Sequence, residues 1–85
     1  MSVVMLIAAV VVTLDAHADL CAHALRRMAD DSRVALGECR SAVVPAVLET
    51  STGDEGEALV NDLLTIPGVL RVDVVSVDFS SDEDG

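Results

Sequence analysis

The side chains best suited to chemistry in this 85-residue chain are His17, Cys21, His23 and Cys39. His17 and Cys21 stand at i, i+4 within a predicted helix, so they share one face. Two soft ligands on one face hold zinc only when further ligands arrive from elsewhere, because a structural site closes with four. No CxxC pair is present, and no Cys or His cluster has zinc-finger spacing. His17 and His23 lie six apart and point to different helix faces, so they do not converge on one substrate atom. No nucleophile and base can be paired from these residues. We therefore expect no enzymatic activity, no metal and no cofactor. Two cysteines are also too few for a disulfide-stapled secreted scaffold of this length. The expectation is two free, reduced thiols.

Charge narrows the partners. Acidic residues number 15 against 5 basic, a formal net charge of −10, and every basic residue is arginine. Such a chain is repelled by phosphate backbones, which argues against nucleic-acid binding. Hydrophobic residues make up 52% with a single aromatic, Phe79. That is far too apolar for a disordered acidic tail. The absence of lysine beside many aspartates also fits salt adaptation, which would explain the charge but no apolar surface.

Residues 3–12 form an unbroken apolar run, and Ala16-His17-Ala18 has the small-x-small form of a signal-peptidase site. Only Met1 and Ser2 precede the run, without the basic charge of a secretory signal. The run is shorter than the roughly 20 residues a membrane-spanning helix needs. Its β-branched residues suit a strand. We expect the segment to be retained, with no integral membrane segment and a cytoplasmic location.

Residues 4–14 read as a strand buried on both faces and so central in a sheet. Asp15 is the expected N-cap of a helix running to about Asp30, with Leu20, Cys21, Ala24, Leu25 and Met28 on its apolar stripe. Residues 33–38 read as a short strand and 43–50 as another. Pro45 is expected to mark the start of that strand or a bulge, because it lacks an N–H. Thr52 to Glu55 has capping-box form and opens a helix over about 54–65, with Leu59, Val60, Leu63 and Leu64 inward. Pro67-Gly68 ends it. Residues 69–79 alternate as the last strand, and the acidic tail 81–85 is expected to fray. A single domain over 1–80 follows. Its β-α-β-β-α-β order predicts the α+β ferredoxin-like sandwich, a four-stranded antiparallel sheet with both helices on one face. A 15-residue helix spans about 22 Å and a seven-residue strand about 23 Å, so the crossovers match in length.

The helices cover one sheet face and leave the other open. Strict alternation puts Ala9, Val11, Thr13, Glu49, Asp73, Val75 and Val77 on the open face. Four of these are apolar, more than an inert solvent face carries, which points to a partner or a second copy. Small Ala9 permits close backbone approach. Glu49 and Asp73 set negative charge beside the apolar strip, so the surface suits a basic, amphipathic peptide.

Three segments resemble the NapD family of assembly chaperones for periplasmic nitrate reductase. These are Ala9-Val10-Val11-Val12 in the first strand, Val47-Leu48-Glu49 in the third, and Pro67-Gly68-Val69-Leu70 before the last. The likeness runs through residues 8–79. It departs at Val75-Ser76-Val77-Asp78, where the family often has an apolar-aromatic-His sequence. The resemblance implies a chaperone that binds the twin-arginine (Tat) signal peptide of the nitrate reductase catalytic subunit. Binding would delay export until cofactor insertion and folding are complete. It would act as a monomer or weak dimer, using the sheet-face positions named above. The rival reading is a dimeric small-molecule-sensing regulatory domain of the ACT type. A metallochaperone on the same fold would need a CxxC where Leu14-Asp15-Ala16-His17 stands.

Overall fold

A computed structural model describes residues 4–81. The elements are β1 (Val4–Leu14), α1 (Ala18–Ala29), β2 (Val34–Leu36), β3 (Val43–Thr50), α2 (Gly53–Leu64) and β4 (Val69–Ser81). The strands form one antiparallel sheet in the order β2-β3-β1-β4. This is the ferredoxin-like α+β sandwich, with β1 and β3 central. Residues 82–85 of the expected acidic tail lie outside the described residues, while Ser81 belongs to β4.

One apolar layer joins sheet and helices. Val10, Val12 and Leu14 of β1, Val44 and Leu48 of β3, Met28 of α1 and Leu59 of α2 are all at most 2% exposed. Even-numbered residues of β1 therefore face both helices, and odd-numbered ones face away. Leu20 and Leu64, expected on the helix stripes, sit at the rim, 37% and 44% exposed.

The helix starts differ in their chemistry. Thr52 caps α2 by accepting from the Glu55 N–H at 3.1 Å, and the Glu55 carboxylate reaches back to the Ser51 N–H at 3.4 Å. At α1 the N-cap is His17, without a side-chain cap bond. Asp15, the expected cap, instead accepts from the His17 N–H at 2.8 Å in a turn that precedes the helix. The backbone explains the delay. The Asp15 N–H is already bonded to the Gly68 carbonyl, so the chain leaves the sheet before the helix can begin.

Pro45 neither starts β3 nor makes a bulge there. It pairs with Val11 in an unbroken register running from Thr13↔Val43 to Leu6↔Thr50. Its carbonyl accepts from the Gly37 N–H at 2.7 Å, on the β2 side. An antiparallel residue directs both its backbone polar groups to the same neighbour. The missing N–H therefore faces the end of β2, and pairing with β1 loses nothing.

β4 breaks alternation. Ala9 pairs with Ser76 and Val10 with Val74, which leaves Val75 as an extra residue at a β-bulge. Beyond it, Val77 lies opposite Ala8 and Phe79 opposite Leu6, so both fall on the helix side. Val77 is therefore not on the open face, contrary to strict alternation. A bulge shifts the face of every residue that follows it.

Candidate functional site: the open sheet face

The register places residues across the open face in four rows. Ile7 lies between Glu49 of β3 and Asp78 of β4. Ala9 lies between Val47 and Ser76, and Val47 pairs onward with Ala35 of β2. Val11 lies between Pro45 and Asp73, and Thr13 between Val43 and Arg71. Apolar side chains hold the middle, and the charged ones gather along β4 and at the Ile7 row.

A shallow depression of about 470 Å³ occupies this middle, lined chiefly by Ala9, Val11, Ala35, Pro45, Val47 and Val75. Ala9 and Ala35 keep its floor low, while Val75, thrown outward by the bulge, stands 67% exposed at its β4 side. Gly37 keeps the β2 margin close, because a Cβ there would come 2.8 Å from the Pro45 ring.

Of the expected face residues, Ala9, Val11, Thr13, Glu49, Asp73 and Val75 come together here, and Val77 does not. Ile7, Val47, Pro45 and Ala35 also belong to the face. The parity of β1 and β3 carried the signal for Ile7, Pro45 and Val47. Asp78 reaches this face only because of the bulge, which the alternating sequence conceals.

The electrostatics are asymmetric. The Arg71 Nε donates to Asp73 Oδ1 at 2.9 Å, so this pair is internally compensated. Glu49 and Asp78 make no ion pair among the described residues. The two carboxylates flanking Ile7 are thus the free charges of the face.

The helix side carries a second opening. A groove of about 280 Å³ runs between β4 and α2, with Leu6, Ala8, Val74, Val77 and Phe79 against Gly56 and Val60. Gly56 lets α2 lie close, since a Cβ there would meet Leu6 at 3.2 Å.

Cys21 and Cys39 are free and half-buried, packed against the edge of the core. Partial burial and then the neighbouring Cys39 thiol push the Cys21 thiol above its ordinary value, which disfavours a reactive thiolate. Among the described residues no group of three or more His, Cys, Asp or Glu side chains could hold a metal ion. No helix among them is long and apolar enough to cross a membrane.

No protein-family model, curated protein or solved structure matches this chain.

Proposed function

We propose that the chain is a binding module whose open sheet face takes a basic, amphipathic peptide. The observation that carries this reading is the apolar depression around Ala9, Val11, Val47 and Val75, bordered by the uncompensated carboxylates of Glu49 and Asp78. An apolar peptide face would bury the valines, while arginines beside it would meet the carboxylates. The acidic chain, at −10, adds long-range attraction for such a ligand.

The resemblance of the three short segments to the NapD family supports a particular peptide. On that likeness the client is the twin-arginine signal peptide of a nitrate reductase catalytic-subunit precursor. The protein would then be a cytoplasmic chaperone that withholds the client from export until its cofactor is in place.

Titration calorimetry with a twin-arginine peptide tests both levels. Val11→Lys and Val75→Lys place charge in the buried part of the interface and are expected to cost on the order of 2–4 kcal/mol of binding. Glu49→Gln removes a rim charge and is expected to cost roughly 0.5–1 kcal/mol, with weaker salt dependence. Val77→Lys, on the opposite side, leaves binding unchanged. A folded Val11→Lys variant that binds as tightly as wild type overturns the site. Changing the two arginines to lysines tests the client, because only a site using their planar, forked donors notices the exchange.

A further inference from the structure

Among the described residues β4, a 13-residue strand, lies at the end of the sheet and pairs with β1 alone, which leaves its outer edge free. Edge strands are usually short or blunted, because unpaired N–H and C=O groups template pairing with another chain. The two faces of β4 differ chemically. On the helix side lie Val74, Val77 and Phe79, which are 52%, 49% and 73% exposed and continue into the groove beside α2. On the open side lie Arg71, Asp73, Ser76 and Asp78, with the bulged Val75 between.

This edge suits a different chain better than its own copy. Self-pairing brings two chains of −10 together and sets aspartate-bearing strands side by side. Like charges opposed across a strand pair are destabilising, and opposite charges stabilise. Glu57 on the α2 wall of the groove adds negative charge on the helix side as well.

We infer that the free edge of β4 takes an extended partner segment in which basic and apolar residues alternate. A basic residue falls beside Asp78, and the apolar ones cover Val77 and Phe79. Main-chain bonds to the edge supply affinity, and the alternating side chains supply selectivity. Register shifts at Leu70 and Val75 interrupt the strand, so the segment engages the stretch from Ser76 onward in a continuous register. This surface shares Asp78 with the open face but lies along the outer edge of β4, away from Val11 and the apolar depression, and does not depend on what binds there.

The test is calorimetric titration of the full chain, at low salt, with a short peptide alternating arginine and valine. Two comparison peptides alternate glutamate and valine, or carry N-methyl groups on alternate backbone nitrogens of the arginine peptide. The arginine peptide is expected to bind saturably, and N-methylation to weaken it about tenfold or more by removing edge bonds. Asp78→Lys is expected to weaken it by a similar factor and to admit the glutamate peptide instead. Val11→Lys leaves it unchanged. The inference is overturned if N-methylation has no effect, or if Asp78→Lys, folded by circular dichroism, binds as wild type. Loss of binding in Val11→Lys would also overturn it, by moving the peptide to the open face. Sedimentation showing a dimer that Phe79→Lys dissociates would assign the edge to a second copy and equally sink it.

Discussion

Gly68 and Ala42 show how single backbone positions govern this domain. Gly68 has φ +99, and a Cβ there would collide with the Leu20 carbonyl oxygen of α1. Its own carbonyl receives the Asp15 N–H, so the start of β4 is bonded to the end of β1. Gly68→Ala therefore faces both a strained backbone and a clash with main chain that cannot rotate away. It is expected to destabilise by more than about 2 kcal/mol in urea unfolding. Ser41 and Ala42, at φ 52 and 63, form the two central positions of the tight turn closed by Arg40 and Val43. That turn ordinarily uses Asn-Gly, because both residues need positive φ. Ala42→Gly removes the steric cost and should stabilise by about 1 kcal/mol, read as a shifted urea midpoint.

Asp31 illustrates a charge with a structural task. One carboxylate oxygen accepts from the Arg33 N–H at 2.9 Å and Nε at 3.0 Å, and the other from a terminal guanidinium nitrogen at 2.9 Å. These bonds hold the Asp31 carboxyl below its ordinary value. A depressed folded pKa stabilises fully above the unfolded value, about 3.9, and the contribution disappears as pH falls through the depressed value. Asp31→Asn should cost about 0.5–1 kcal/mol at neutral pH, allowing for its partial exposure, and less at roughly pH 3, below the unfolded value. Urea midpoints of both proteins at the two pH values check this.

At the scale of elements, α2 rests on its cap and on two leucines. Leu59 and Leu63 are buried, and Thr52 satisfies one of the orphan N–H groups of the first turn. Thr52→Ala should cost about 1 kcal/mol, and Leu59→Ala about 2–5 kcal/mol, in equilibrium unfolding. The helices, the first strand and the order of elements were legible from periodicity. So was the capping of α2, because Thr52 and Glu55 interact locally. So were the bounds of β3, but not the place of Pro45 within it, because whether Pro45 breaks a strand depends on which neighbour its nitrogen faces. The bulge in β4 was also hidden, since Val74-Val75-Ser76-Val77 alternates acceptably in either phase. Six of the seven expected face positions survived, and Val77 was lost to that one inserted residue.

At the scale of the molecule, the dominant long-range term is self-repulsion among 15 acidic and 5 basic residues. Three of the four described ion pairs join residues two apart, and the fourth, Arg33–Glu55, is long at 3.9 Å. They leave most of the excess uncompensated. Added salt screens that repulsion over about 10 Å at 0.1 M. The midpoint of thermal unfolding should therefore rise between dilute buffer and about 0.5 M sodium chloride, while binding of a basic peptide weakens. A falling midpoint over that range would show that attractive pairs outweigh the net charge.

The amino-acid order determined by itself where the helices and strands lie, the centres of their buried stripes at Ala24, Met28, Leu59 and Leu63, and that one sheet face carries an apolar strip. Those features follow from local propensity and from periods of about 3.6 and 2 residues, written into neighbouring positions. Only tertiary structure decided that Pro45 is harmless, that Asp78 joins the open face, and that Val77 and Phe79 turn toward the groove beside α2. Each of these depends on register with a strand distant in sequence. A single unpaired residue at Val75 exchanges the faces for everything beyond it.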